Sequence, residues 1–476
     1  MFRWLKHLVV GRRITQVRVI RAKYDAAQTT PDNRRHWANA DLLSADAAAS
    51  AEVRRKLRSR SRYEVANNCY AQGIVLTLAN DVIGTGPRLQ MLADADETNR
   101  AVEREFTRWA TAIRLAEKLR TMRKARAVDG EAFALFFNNG NLSHPVKLDL
   151  RLVEAEQVTT PGFTPGKTGG QTHAVDGIVF DEFGNVVEYH VLKAHPGGGT
   201  AALGMKYDRV PAESMIHWFR ADRPGQSRGI PEMTPSLPLF AQLRQYRQAV
   251  LDAARTAANI ALFMKTTMPA SGEAAEVEPM VTMDLEPNMA VFTPEGWEPS
   301  QIKAEQPTAN FKEVCEGYIA EAGRPFSMPK NVVLCDSSQY NYASGRLDHQ
   351  TYFKSIRVEQ AEIEEVILDR ILAAWLAEAA RIFDIGEQDG PPHQWFWDGR
   401  EHVDPAKEAN AAEKLLKAGL LTEAEYQARR GTDWEEHQAQ RQREAEGRRT
   451  RGLPQPWETG EAGAAVTVPP EDEEED

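Results

Sequence analysis

Leu237-Pro-Leu-Phe-Ala-Gln-Leu-Arg-Gln-Tyr-Arg-Gln-Ala-Val-Leu-Asp-Ala-Ala-Arg-Thr-Ala-Ala-Asn-Ile-Ala-Leu-Phe-Met264 is the stretch from which the fold is read. Leu239, Leu243, Tyr246, Val250, Ala253, Ala257 and Ile260 recur at three and four, the spacing of one helical face. Ala254, Ala258 and Ala261 lie beside that stripe. Small residues let helices approach closely, so this helix is expected to pack against copies or neighbours along its length. At 1.5 Å per residue it would reach roughly 40 Å. Residues 269–306 are rich in Pro, Glu and Gly, with short β-like pieces at 281–285 and 289–293. A shorter helix is expected over 310–322. A chain that runs out along one helix, through a small distal module and back along another makes a protrusion, not a pocket.

Upstream, Arg54-Arg-Lys-Leu-Arg-Ser-Arg-Ser-Arg62 is a dense basic run, readable as a solvated helix face or as a surface for an acidic or nucleic-acid partner. Helical periodicity is read from Tyr63 to the Ile83-Gly-Thr-Gly-Pro87 break, and again over Asp96–Asp129. The period then changes. Short, partly alternating runs at 131–137, 146–153, 177–181, 186–192 and 215–219, bounded by Gly, Pro and Asn turns, predict a small antiparallel β module. A flexible loop is expected over 160–170. Residues 325–344 read as a loop, 346–385 as a long helix, 406–449 as a charged helical tail, and 452–476 as disordered.

Composition sets limits. The chain has 476 residues and a formal charge of −11, with an acidic run at Glu471–Asp476. A sequence-specific DNA binder that grips phosphate is normally basic. Cys69, Cys315 and Cys335 have no metal-ligand spacing and read as free thiols. The N-terminus has neither the apolar core nor the cleavage site of a signal peptide. No transmembrane run is present; the most apolar stretch, 366–383, carries Asp369, Arg370, Glu378 and Arg381 at helical spacing.

Tests for chemistry come back negative. Gly162-Phe-Thr-Pro-Gly-Lys-Thr168 has three residues, not four, before its Gly-Lys-Thr, and Gly169-Gly170 follow in place of a helix start. Gly84-Thr-Gly86 lacks a third glycine at dinucleotide spacing. His190 with His195, and His393 with His402, are pairs without a third convergent ligand. No catalytic residue, metal site or cofactor is expected.

Four segments together resemble the portal proteins of tailed bacteriophages, in the lambda-type group. Arg62-Tyr-Glu-Val-Ala-Asn-Asn-Cys-Tyr-Ala-Gln-Gly-Ile-Val, continuing to Asn80-Asp-Val-Ile-Gly-Thr-Gly-Pro87, is similar to that group's N-terminal helix and Val-Gly-x-Gly turn. His217-Trp-Phe-Arg-Ala-Asp-Arg-Pro-Gly-Gln-Ser-Arg-Gly-Ile-Pro231, followed by the Ala-rich helix, is the strongest match. Gln339-Tyr-Asn-Tyr-Ala-Ser-Gly-Arg346 resembles the family's Asn-Tyr-Ser-Ser-x-Arg. Val403-Asp-Pro-Ala-Lys-Glu-Ala-Asn-Ala, with Ala418-Gly-Leu-Leu-Thr-Glu423, completes the set. The matches run in order from about residue 55 to 435. Ala343 departs from the first Ser, and Gly345 is expected to delay the next helix.

The resemblance implies an α+β, mostly helical portal fold that assembles as a ring, usually of about twelve subunits, around an axial channel. It implies an N-terminal arm (1–50), a wing (51–233), a stem helix (234–264), a clip (265–309) and a returning stem helix (310–324). A tunnel loop (325–345), a long helix (346–394), crown helices (395–450) and a disordered tail (451–476) follow. Channel-facing candidates are Ser338, Gln339, Tyr340, Asn341, Tyr342 and Arg346. Clip candidates for terminase docking are Glu273, Glu276, Glu278 and Asp284. Stem candidates for subunit contact are Leu243, Tyr246, Val250, Ala254, Ala257 and Ala258. Implied partners are further copies of the chain, double-stranded DNA passing without sequence specificity, the terminase large subunit, the major capsid protein, scaffold and head-completion or adaptor proteins, with no membrane. The implied place is the capsid portal vertex of the virion, and the host cytoplasm during assembly. The implied role is structural, a conduit for DNA packaging and ejection. The alternatives are a non-portal head–tail adaptor or a DNA-packaging enzyme subunit. Ring closure needs two different patches meeting head to tail, which a long small-residue helix suits.

Overall fold

The computed structural model describes residues 31, 34–93, 96–161, 173–198, 206–259, 263–266, 297–300, 310–338, 340–383, 385, 390–399 and 405–455. Ser44 and Ser50 open α1 (Ala45–Ala48) and α2 (Ala51–Asn67), each hydroxyl accepting a first-turn N–H. Helix therefore begins well before Tyr63. It also breaks at Asn68, whose side chain accepts the N–H groups of Tyr70 and Ala71 to start α3 (Cys69–Ile83). β1 (Arg88–Met91) follows.

The single helix expected over Asp96–Asp129 is two, α4 (Asp96–Ala112) and α5 (Leu115–Asp129). Arg114 stands between them in the left-handed region at φ 58, which an α-helix cannot continue through. Gly130, also left-handed, then turns the chain into the β module. That module is two antiparallel sheets. β2 (Glu131–Asn138), β3 (Leu148–Val153), β4 (His173–Val175), β5 (Ile178–Phe180), β6 (Val186–Leu192), β7 (Tyr207–Pro211) and β8 (Met215–Phe219) pair in the orders β3-β2-β8 and β4-β5-β6-β7. All five expected runs are strands; β4 and β7 are additional. Most of the expected loop at 160–170 lies outside the described residues.

α6 (Leu237–Asn259) ends short of Met264. Phe263 and Met264 instead belong to β9 (Phe263–Thr266), which pairs antiparallel with β10 (Trp297–Ser300). At Phe263 and Met264 a cross-strand ladder stands where helix was expected. The β-like pieces at 281–285 and 289–293 lie outside the described residues. α7 (Phe311–Gly323) returns, and the stretch expected as a loop contains α8 (Lys330–Leu334). α9 (Tyr342–Ile363) begins before Gly345, so that glycine delays nothing. Its N–H reaches Asn341 O at 3.1 Å within the first turn. A π turn (Glu364–Leu368) links α9 to α10 (Asp369–Phe383).

β11 (His393–Phe396) pairs with β1, tying residues near 395 to the front of the chain. The charged tail is three helices rather than one: α11 (Pro405–Lys417), α12 (Glu423–Arg429) and α13 (Trp434–Thr450). Gly419 and Gly431, both at positive φ, make the breaks. Of the tail expected to be disordered, Gly452–Gln455 folds back: Leu453 N–H bonds Arg448 O, and buried Gln455 donates to Ala445 O. The rest of that segment lies outside the described residues.

The strand period of two divides the interior. Ala132 and Ala134 of β2 face a large core shared by α3–α5, α9 and α10, and Phe133 faces a smaller one with Val158, Tyr189 and Met215. The large core centres on Phe106, Trp109, Trp375 and Trp395, with ring centroids 5.3–6.3 Å apart for the contacting pairs. Among the described residues, no helix is long and apolar enough to cross a membrane.

Candidate functional site

The basic run at 54–62 is neither a solvated face nor a free partner surface on its inward side. Arg54, Arg58 and Arg62 are one helical turn apart, so they share a face of α2, and that face is turned into the protein. Arg58 pairs with Glu131 and donates to Asp129 O at 2.8 Å; Arg54 pairs with Asp176. Arg62 bonds Asp129 and Glu156 at 2.6 and 2.9 Å. Arg55, Lys56 and Arg60 remain exposed.

Glu131 is the hub of this cluster. Arg228 reaches its two carboxylate oxygens from Nε at 3.0 and 2.9 Å and from Nη2 at 2.7 Å. The Gly229 N–H donates at 3.1 Å, and His217 Nε2 lies 3.0 Å away. Burial alone would raise the Glu131 carboxyl, but the Arg228 and Arg58 guanidiniums hold it well below the usual range. Burial pushes His217 down. The chain can come this close because both facing positions are glycine: a Cβ at Gly229 would sit 2.1 Å from Gly130 O.

A second buried cluster fixes the root of α6. Glu232, five residues before the helix, forms an ion pair with Arg123 Nη1 at 2.9 Å and accepts a hydrogen bond from Arg126 Nε at 3.0 Å, both from α5. Those arginines also pair with Glu359 and Glu362 of α9, and Arg126 lies 4.5 Å over the Trp218 ring. Burial opposes ionisation of Glu232, yet Arg123 and Arg126 hold its carboxyl below the ordinary value. Ser236 Oγ donates to Ala322 O at 2.8 Å, and Arg244 grips Glu64 of α2 through two bonds of 2.6 and 3.1 Å. The helix root is thus tied to α2, α5, α7 and α9.

From that root α6 and α7 run antiparallel, with Ser236 beside Ala322 and Tyr246 stacked on Phe311 at 5.7 Å. Among the stem candidates, Leu243 and Val250 are buried within the chain, Tyr246 is used against Phe311 and Ala254 is half-buried. The Ala257 and Ala258 side chains lie outside the described residues. Ala249, Leu251 and Ala253 of α6 are exposed, Ala249 and Ala253 near one side of the helix and Leu251 on another. In the channel-candidate loop, Ser338 and Asn341 are exposed, as is Arg346 on α9. The half-buried Tyr340 ring comes within 3.6 Å of where a Gly345 Cβ would stand. Gln339 and the Tyr342 side chain lie outside the described residues, as do Glu273, Glu276, Glu278 and Asp284.

One expectation about histidine changes. His195 does meet two carboxylates: its Nε2 faces Glu154 at 3.3 Å and Glu156 at 3.9 Å. The Gly197 N–H donates to Nδ1 at 3.0 Å, so the neutral ring carries its proton on Nε2. That atom then offers a donor, not a metal-ligating lone pair, and Arg62 already occupies both glutamates. His190 and His393 are hydrogen-bonded elsewhere, and His402 lies outside the described residues. All three cysteines are free, with Cys315 buried in α7.

The ionic clusters were missed by sequence reading, although spacing carried a signal. Arg54/Arg58, Arg123/Arg126 and Glu359/Glu362 each stand three or four apart, as residues meeting one partner face must.

Compared with known proteins, the chain matches the family model described as phage portal protein, lambda family, over residues 31–360. It is 22% identical over 451 residues to the probable portal protein of Halomonas phage phiHAP-1, covering 88% of this chain and 86% of that protein. It is 24% identical over 510 aligned positions to portal protein B of Escherichia phage lambda, covering 93% of each. Among solved structures it is similar to a chain from the neck of a native gene transfer agent particle computed with C12 symmetry. There the TM-score is 0.42 at 13% identity, over 79% of this chain and 94% of that one.

Proposed function

The chain belongs to the lambda family of phage portal proteins, and from that premise we propose that it forms a ring of about twelve copies around an axial DNA channel at one vertex of the capsid. The observation that carries this reading is the anchored helix pair. α6 is clamped at its root by Glu232, Ser236 and Arg244, while Ala249, Leu251 and Ala253 face outward with no cover from the described chain. A helix fixed at one end that leaves an apolar side chain as large as Leu251 exposed fits a neighbouring copy of itself.

In this reading Ser338, Asn341 and Arg346 face the channel, with Gln339, Tyr340 and Tyr342 in the same loop. Residues 265–309, including Glu273, Glu276, Glu278 and Asp284, form the docking platform for the terminase large subunit and later for head-completion proteins. Double-stranded DNA passes during packaging and ejection. A net charge of −11 per chain limits non-specific phosphate capture by the ring. The protein works in the virion, after assembly with capsid and scaffold proteins in the host cytoplasm. Its role is structural, without catalysis.

Native mass spectrometry with two-dimensional class averages tests the ring. A closed assembly with a central hole is expected, and Leu251→Asp should reduce it at least several-fold while leaving the circular dichroism of the chain unchanged. A wild-type protein that stays monomeric or dimeric under assembly conditions would overturn the proposal.

A further inference from the structure

The basic run at 54–62 has an outward half as well as a buried one. The helical spacing that turns Arg54, Arg58 and Arg62 inward puts Lys56 and Arg60 on the opposite side of α2. Both are exposed, and neither meets a carboxylate among the described residues. Ser59, Tyr63 and Asn67 are exposed along the same side. α6 crosses beside them, with Arg244 bonded to Glu64 and lying 5.4 Å over the Tyr63 ring. One turn further along α6, exposed Arg247 lies 5.7 Å over the Tyr70 ring of α3 and meets no carboxylate among the described residues.

Carboxylates that could neutralise this face are few. From Ala51 to Asn80 the chain has only Glu52 and Glu64, and α6 has only Asp252. Glu64 is taken by Arg244, and Asp252 lies 3.5 Å from Arg255. Glu52, exposed in the first turn of α2, forms no ion pair among the described residues. Lys56, Arg60 and Arg247 are thus left as free cations on a chain whose net charge is −11. The groups between them are the Ser59 and Tyr63 hydroxyls and the Asn67 amide, and cations interleaved with hydroxyls and amides are what grip the phosphates and sugars of DNA. A protein partner would need an apolar anchor at the centre. The large apolar side chains exposed on α2 are Val53 and Tyr63, about 15 Å apart along the helix, too far to form one. We propose that this face of α2 and α6 holds the sugar–phosphate backbone of double-stranded DNA, without regard to sequence, through Lys56, Arg60 and Arg247. The proposal rests on the reading of this chain as a DNA conduit and adds a second, charged contact to the loop at 338–346. Three cations make the contact weak in one copy, and a ring multiplies it.

Fluorescence anisotropy of the full-length protein with a labelled DNA duplex, titrated at several KCl concentrations, tests this. Wild-type protein should bind two duplexes of unrelated sequence equally, with log K falling linearly as log salt rises. Combining Lys56→Ala, Arg60→Ala and Arg247→Ala should lower the affinity about tenfold or more at low salt. It should also flatten the salt slope by about 0.9 for each cation lost. Combining Arg55→Ala, Arg151→Ala and Arg429→Ala removes the same charge from other exposed positions and should change neither quantity appreciably. Equal losses in the two triple variants would trace binding to net charge and overturn the proposal, as would a wild-type protein with no affinity for duplex. If the first variant lost binding to poly-glutamate and kept binding to duplex, the face would belong to an acidic protein, which also overturns it. Native mass spectrometry on the same samples reads the ring separately. An intact ring whose duplex binding is unaltered in the first variant overturns the DNA face and leaves the ring standing. If the protein stays monomeric the ring reading fails, and the salt slopes still decide the face.

Discussion

Glu131 concentrates more of this structure than any other single side chain. It is fully buried, accepts hydrogen bonds from Arg228 and the Gly229 amide, and joins α2, β2, β8 and the 228–229 turn through one carboxylate. Replacing such a group with hydrophobic residues throughout can be neutral, but removing one partner leaves the others charged and buried. Glu131→Gln keeps the shape and strands Arg58 and Arg228. We expect a loss of about 3–5 kcal/mol, read as a lower urea midpoint; an unchanged midpoint would show that water already compensates the arginines. Because the folded carboxyl is held below its ordinary 4.5, its stabilisation is complete above that pH. It is lost as acid titrates the folded group.

At the scale of elements, the π turn explains itself through its neighbours. Tyr352, Ile356, Ile363, Ile367, Ile371, Trp375 and Ala379 form one buried stripe along α9 and α10. Seven α-turns cover about 25 residues, and the stripe is longer than that by about two, so a wider turn takes up part of the excess. The same turn bonds Asp369 N–H to Glu364 O and brings those two carboxylates to one side. There Glu364 accepts from Trp397 Nε1 at 2.5 Å, and Asp369 accepts from Trp395 Nε1 at 2.9 Å with His393 Nε2 at 3.1 Å. Five residues apart on a plain α-helix, the pair would diverge by about 140°. Asp369→Ala should therefore cost about 1–3 kcal/mol and speed amide exchange in β11 and β1 together. Exchange that rises in neither strand would show that the aromatic packing alone holds them.

The whole molecule closes where the last helices meet the first strands. Arg88 Nη1 donates to Gly431 O at 2.8 Å, and Arg100 faces Glu435 at 3.6 Å. Beneath this contact, Glu103 accepts the Met91 N–H at 2.6 Å. Burial first, and then Asp433, Glu435 and Glu436, push its carboxyl up to about 7 despite that bond. A carboxyl raised in the folded state stabilises the contact at low pH. The contribution falls away as pH climbs from about 4.5 through 7. Exchange at 429–436, normalised to the intrinsic base-catalysed rate of each amide, should accordingly rise between about pH 5 and 7, and Glu103→Gln should flatten that dependence. A profile with the same slope in the variant would remove Glu103 as its source.

Local pattern alone determined a good part of this protein: the strands of the β module, the out-and-back helices at 237 and 311, and the four ordered segments that resemble a portal. Hydrophobic period and turn residues are written in neighbouring positions, and a helix or strand needs nothing more remote to be recognised. The breaks at Asn68 and Arg114 were harder to see, since each depends on one residue's backbone conformation. The exchange of helix for strand at Phe263 required Trp297–Ser300 as a ladder partner. The fate of the arginines at 54, 58, 123 and 126 could be decided only in three dimensions. A guanidinium reads as surface until a carboxylate from a distant element meets it in a buried site, and Glu131, Glu232 and Glu359 are brought there by packing, not by proximity along the chain.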